Sequence, residues 1–252
     1  AHDICGPLAA AWAEWILAMD DNHFSPNRTG FTVGKRGCET FAGSEAGWLR
    51  EVPASLRGMV LARISRRKLE TGVVVCRRGE TEGGLFAVVS GSVGIRWPIG
   101  AGAEECLRQI AGPGFWFGRL VAPHMLTVVT RSPAQIAAIA PDHLAELPCA
   151  WPLAIAESWL RDASALAAPL IEAEPTDRVV LWLRHIHDRL RGAPIVATQS
   201  EIGAALGLSR NSVNRALREL EGCGVVRSGY RRITVLDPLR LQVPFDHGAS
   251  AA

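Results

Sequence analysis

The residues best equipped for chemistry in this chain lie between Thr198 and Glu221. There Val213, Ala216, Leu217 and Leu220 recur at i, i+3, i+4 and i+7, the apolar face of a helix. The opposite face carries Arg210, Asn211, Ser212, Asn214, Arg215 and Arg218. Arginine can donate a pair of hydrogen bonds to guanine O6 and N7, and asparagine can pair in the same way with adenine. Residues at the start of such a helix approach base edges when it enters a major groove, which favours Arg210 and Asn211, with Ser212, Asn214 and Arg215 behind them. Arg218 lies further along and suits a phosphate. This is the chemistry of reading a duplex, not of making or breaking bonds.

The elements that must position these residues are legible nearby. Thr198 followed by Glu201 is a capping box, so a helix starts at Gln199. Ile202, Ala205 and Leu206 give it an apolar face, Gly207 stops it, and Ser209 caps the next helix over 209–221. Two helices joined by a Gly-containing turn make a helix-turn-helix. Gln199 and Ser200, at the positive end of the first helix, are placed for a phosphate. Downstream, Val225 to Leu236 reads as two strands flanking a Ser228-Gly229 turn; with Ile195-Val196 it makes a winged helix. Arg227, Arg231 and Arg232 line the wing and face the nucleic-acid backbone.

Composition bounds the rest. The chain has 252 residues, 48 % apolar and 21 % charged, which excludes broad disorder and allows two ordinary domains. The formal net charge of +2 hides an asymmetry: residues 176–240 hold 11 Arg against 6 acidic residues, net +5, and the remainder is net −3. A basic reader attached to a slightly acidic body suits a nucleic-acid partner. No apolar run reaches the ~18 residues that span a bilayer. The apolar patch from Leu8 to Met19 lacks a basic leader and is interrupted by Glu14, so it reads as an amphipathic helix, not a signal peptide. Six cysteines (Cys5, Cys38, Cys76, Cys106, Cys149, Cys223) form no Cys-x-x-Cys, and isolated reduced thiols in a cytoplasmic protein are the expectation.

Five regions follow: 1–44, an extension without assigned role; 45–149, a β-rich sensor-like domain; 150–174, one long helix; 175–240, the winged helix-turn-helix; and 241–252, a tail. In the second, Gly47–Ser65 reads as a helical lead-in. Short strands follow around 72–76, 85–89, 92–97, 106–110, 127–130 and 135–139, with glycines at the bends, an antiparallel roll or sandwich. In the long helix, Leu153, Ala156, Leu160, Ala163, Ala167 and Leu170 are spaced as an a/d seam beside a second stripe of Ile155, Trp159 and Leu166. Two stripes suit two partners, its own domain and a second subunit. Pro169 is expected to bend the last turn.

The chain resembles the Crp–Fnr family of bacterial transcription regulators over about residues 46–236. Gln199–Glu221 carries the resemblance most strongly, supported by Leu69–Gly72, Arg78–Glu80, Leu85–Val93 and Gly112–Gly118. The resemblance implies an α+β protein: a jelly-roll-like β-roll of the cyclic-nucleotide-binding type, a dimerisation helix, and a winged helix-turn-helix. It further implies a homodimer on a two-fold symmetric DNA operator, with bases read by Arg210, Asn211 and Arg215. RNA polymerase would be a further partner of an activator. Cyclic-nucleotide-binding members follow the Phe-x-Gly turn with Gly-Glu and, about ten residues on, Arg-Ser. Here Arg119 follows Gly118 and the segment to Thr127 has no Arg-Ser, so no cyclic nucleotide and no other cofactor is expected.

Two rival classes can be set against this reading. An enzyme of the cupin type would need His-x-His on a strand, but His185-Ile186-His187 lies on a predicted helix, where i and i+2 point apart. No nucleophile elbow or P-loop is present, and no metal site is expected. His124 beside Met125 could suggest haem, although a lone histidine is more often an ordinary core or surface residue. Trp97, Phe115, Trp116 and Phe117 read as core, with an apolar ligand pocket as the alternative. The second rival is a ligand- or redox-sensing module whose winged helix binds protein.

Overall fold

The computed structural model describes residues 48–49, 52–81, 83–98, 105–119, 123–148, 150–172, 174–242 and 245. The expected helix around Leu8–Met19, the rest of the 1–44 extension, Cys149 and most of the tail lie outside the described residues.

A short helix, α1 (Arg57–Leu61), leads into eight strands: β1 (Ile64–Leu69), β2 (Val74–Cys76), β3 (Leu85–Ser90), β4 (Val93–Pro98), β5 (Glu105–Ala111), β6 (Trp116–Gly118), β7 (Thr127–Thr130) and β8 (Ala134–Ile139). They form two four-stranded antiparallel sheets, ordered β1-β8-β3-β6 and β2-β7-β4-β5. Side chains alternate across a strand, and β3 shows the consequence. Phe86 and Val88 point between the sheets with Val93, Ile95, Phe117, Val128 and Ile136, while Leu85 and Ala87 point outward to Trp48, Trp116, Trp151 and Ile155. The first sheet is thus buried on both faces, which is why β3 reads as an unbroken apolar run. Trp116 packs edge-on against Trp151 with ring centroids 5.0 Å apart.

Five helices and a hairpin follow: α2 (Pro141–Leu144), α3 (Ala150–Glu172), α4 (Pro175–Arg189), α5 (Gln199–Leu206), α6 (Arg210–Gly222), and β9 (Val226–Gly229) with β10 (Arg232–Val235). Helix α3 continues through Pro169 to Glu172. Ile195 bridges Ile233, adding the third strand position to the wing. Helices α4, α5 and α6 and the wing share one core of Val180, Leu183, Ile202, Leu206, Val213, Leu217 and Ile233, which also takes in Leu107 and Ile110 of β5.

Three expectations are corrected. Ile64 and Ser65 belong to β1, not to a helical lead-in, because β1 pairs with β8 from Ile64↔Ile139 to Leu69↔Ala134. Trp116–Gly118 is a strand, β6, held by Phe86↔Phe117 pairing; three residues are too few for a visible alternation. The wing turns at Tyr230-Arg231, since Gly229 pairs with Arg232. Arg231 takes the left-handed conformation there, φ 52°, although glycine stands two positions earlier.

Candidate nucleic-acid interface

The helix-turn-helix is built from local hydrogen bonds. Thr198 Oγ1 accepts from the Glu201 amide at 3.1 Å, and the Glu201 carboxylate accepts from the Thr198 amide at 2.8 Å, completing the capping box. Gly207 ends α5 at φ 64°. Gly203 lets the turn close: its carbonyl accepts from the Leu208 amide at 2.8 Å, and a Cβ there would lie 2.6 Å from the Leu208 carbonyl oxygen. Ser209 Oγ then accepts from the Ser212 amide at 3.0 Å and caps α6.

With α6 fixed, its polar face is open. Arg210, Asn211, Arg215 and Arg218 are exposed, and Ser212 and Asn214 are half-buried. Ser200 is exposed at the start of α5. Gln199 donates from its amide to Asn214 Oδ1 at 3.1 Å, so these two tie the helices together. The acidic residues of α6 are used elsewhere. Glu219 accepts from Thr176 Oγ1 at 3.0 Å, and Glu221 accepts from the Ser228 amide of the wing at 2.9 Å. Arg227, Arg231 and Arg232 are exposed on the wing. At its tip Tyr230 is 94 % exposed, an aromatic among arginines that carries no signal in the sequence because it sits in a turn two residues beyond the expected one.

Contacts far apart in sequence seat this unit against the roll. Arg131, in the turn between β7 and β8, donates to Glu201 at 2.7 and 3.0 Å and to the Val196 carbonyl at 2.7 and 3.1 Å. Burial opposes ionisation of Glu201, yet bonds from Arg131 and the Thr198 amide, with the Arg131 charge, hold its pKa at about 2. Arg108 of β5 donates to the Ala205 carbonyl at 2.8 Å, satisfying one of the orphan acceptors at the end of α5. Arg189 at the end of α4 pairs with Asp162 of α3. The Arg210, Asn211, Arg215 and Arg218 side chains of α6 take no part in these contacts and stay exposed.

On α3, Ile155 is buried and Trp159 and Leu166 are half-buried against the chain's own core, whereas Leu153 and Leu160 are 61 % and 70 % exposed. Ala163 and Ala167 are exposed and Ala156 is half-buried; the side chain of Leu170 lies outside the described residues. In the roll, Trp116 and Phe117 are core, while Trp97 is 43 % exposed. His124 is buried beside Phe86. Arg119 donates its amide to the Gly84 carbonyl and its guanidinium to the Thr81 carbonyl. Cys76 is buried, which pushes its thiol up to about 12. Among the described residues no cluster of His, Cys, Asp or Glu could hold a metal ion, and no helix is long and apolar enough to cross a membrane.

A β-roll joined by one long helix to a winged helix-turn-helix with an uncovered basic face defines a class, the β-roll helix-turn-helix regulators. Comparison with known families agrees. Residues 66–148 match the cyclic nucleotide-binding domain family and residues 177–243 the Crp-like helix-turn-helix domain, together more than half of the chain. The chain belongs to the Crp–Fnr family of transcriptional regulators. No curated protein matches it. Similar solved structures include FixK2 from Bradyrhizobium japonicum, at 21 % identity and TM-score 0.60 over 75 % of this chain and 99 % of that one. A CRP-family transcriptional regulator from Thermus thermophilus matches at 21 % and 0.56 over 69 % and 94 %. The c-di-GMP responsive global regulator CLP of Xanthomonas campestris matches at 24 % and 0.53 over 73 % and 99 %. At such identities the likeness speaks for the fold alone.

Proposed function

We propose that the chain is a sequence-specific DNA-binding regulator acting as a homodimer, with α6 in the major groove. The observation that carries this reading is the reading face itself: Arg210, Asn211, Arg215 and Arg218 stand exposed while Glu219 and Glu221 are drawn into contacts with α4 and the wing. Arg210, Asn211 and Arg215, with Ser212 and Asn214, read base edges; Arg218, Gln199 and Ser200 meet phosphates; Arg227, Arg231 and Arg232 of the wing follow the backbone. The seam of Leu153, Ala156, Leu160, Ala163, Ala167 and Leu170 joins two copies, so the operator is two-fold symmetric. The reading in which the roll takes no cyclic nucleotide is supported by Arg119, not glutamate, following Gly118 and by the lack of an Arg-Ser pair in the segment to Thr127. RNA polymerase is the further partner if the protein activates.

Selection of bound duplexes from a random pool, followed by footprinting, tests this. Arg210→Ala and Arg215→Ala should each abolish the preference for the selected operator over other duplexes and leave the dimer intact, a loss of about 1–3 kcal/mol per bidentate contact. Affinity of the wild type should fall steeply with salt as counterions are released. If both variants protect the same operator as the wild type, α6 is not the reading helix. A winged helix that captures protein instead would yield no enriched duplex.

A further inference from the structure

A hairpin that closes in two residues prefers pairs such as Asn-Gly or Asp-Gly at its turn. The wing closes between Gly229 and Arg232 on Tyr230 and Arg231 instead. Arg231 takes φ 52°, a conformation that favours glycine. Tyr230 is 94 % exposed and adds nothing to the core. Gly229 is equally unexplained by folding. It has no positive φ, and among the described residues a Cβ there would meet only the Arg232 carbonyl oxygen, at an ordinary 3.6 Å. Local rules broken without a gain in packing point to a use outside the fold.

The base of the wing is held firmly. Ile195 and Ile233 exchange backbone hydrogen bonds at 2.8 and 2.9 Å, and the Ser228 amide donates to Glu221, near the end of α6, at 2.9 Å. Val226 and Ile233 turn into the core, so Arg227 and Arg232 take the outer face, with bare Gly229 opposite Arg232. A strand glycine of this kind leaves room for another backbone to come close. Helix α6 has 13 residues, so it is about 20 Å long, against ~12 Å for the width of a major groove. When its start reads bases, its far end, where the wing is fastened, lies past the groove edge. The adjoining minor groove is ~6 Å wide, too narrow for a two-stranded ribbon but open to single side chains.

We propose that the tip of the wing reads the minor groove flanking each half-site, a step that rests on the DNA-binding reading above. The Tyr230 hydroxyl donates to an acceptor on the groove floor, and the Arg231 guanidinium lies along the groove. At A·T pairs that floor shows only the adenine N3 and thymine O2 acceptors; at G·C pairs the guanine N2 amine projects between them. Tyr230 therefore selects A·T over G·C at the flank, and Arg231 favours the narrower, more negative groove of A·T tracts.

The test uses the full chain and three duplexes that share the selected operator and differ only in flanks of A·T, G·C or inosine·C pairs. Inosine is guanine without the N2 amine, so inosine·C resembles G·C in the major groove and A·T in the minor. Affinity should be about tenfold lower with G·C flanks, from one net hydrogen bond at each of two wings, and inosine·C flanks should restore it. Tyr230→Phe keeps the ring and removes the donor. It should melt as the wild type does, keep the preference for the operator itself and lose the preference among flanks. Tyr230 is the single tyrosine of the chain, so 3-fluorotyrosine gives one fluorine resonance to follow. That resonance should shift on adding the A·T-flanked operator and stay at its free position with an operator trimmed of its flanks. Equal affinity for all three duplexes overturns the proposal and leaves α6 as the reader. So does inosine·C behaving as G·C, Tyr230→Phe retaining the preference, or a resonance that does not move. Failure to bind any duplex overturns the DNA-binding reading and this proposal with it.

Discussion

Glu201 holds three jobs in one side chain: it completes the cap of α5, it accepts from Thr198, and it receives Arg131 from the roll. Its pKa of about 2, against an ordinary 4.5, fixes the sign of its pH dependence. A depressed carboxylate contributes stability that is fully present above its ordinary value and lost as pH falls toward the folded one. Wild type should therefore melt above Glu201→Gln by a constant margin from about pH 7 to about pH 5.5, a margin that closes between 4.5 and about 2. A margin still undiminished near the lower value would show that the carboxylate's charge is not its source. Glu201 was visible in the sequence as a capping residue because its partner is three residues away. Its bond to Arg131, seventy positions distant, had no local signature.

At the scale of the element, glycine placement separates backbone cost from packing cost. Gly207 has φ 64°, and none of the described residues comes near where a Cβ would stand, so Gly207→Ala should cost only the left-handed conformation, about 1 kcal/mol. At Gly203 a Cβ would press on the Leu208 carbonyl oxygen at 2.6 Å. Gly203→Val should cost about 1–3 kcal/mol more, read from urea midpoints, as overpacking forces the turn open. Equal midpoints for the two variants would refute the close approach. The capped helices were legible because cap, stop and periodicity all lie within one turn of each other. Ile64 and Ser65 were not, since only pairing with β8 decides that they extend instead of coil, and β6 was too short to show a period. The wing's turn slipped by two residues because Gly229 invites a turn that the register gives to Tyr230 and Arg231.

At the scale of the whole molecule, the roll and the helix-turn-helix are joined by a continuous core through Leu107 and Ile110 and by the Arg131 bonds. Arg131→Met keeps the stem and removes the donors, leaving the Val196 carbonyl and Glu201 without them. It should lower stability by about 1–3 kcal/mol and split a single calorimetric transition into two. One undivided transition of unchanged midpoint would show that the apolar core alone couples the halves. For the outer face of α3, Leu160→Asp should give monomers by light scattering. The melting of that monomer should change little on account of the substitution itself, because Leu160 is 70 % exposed within the single chain. A dimer persisting in this variant would remove the seam from the interface.

By itself the sequence determined what depends on neighbours within a few residues: the capping box, the Gly207 stop, the amphipathic face of α6, the two stripes of α3 and the basic bias of the C-terminal third. Each follows from a short-range hydrogen bond, a permitted φ or a helical period. The tertiary structure alone decided which stripe of α3 the chain buries, that Glu219 and Glu221 accept from Thr176 and from the Ser228 amide, and that Arg131 grips Glu201. These depend on where distant segments meet, and that is set by sheet pairing and core packing over the whole chain, not by any local run of residues.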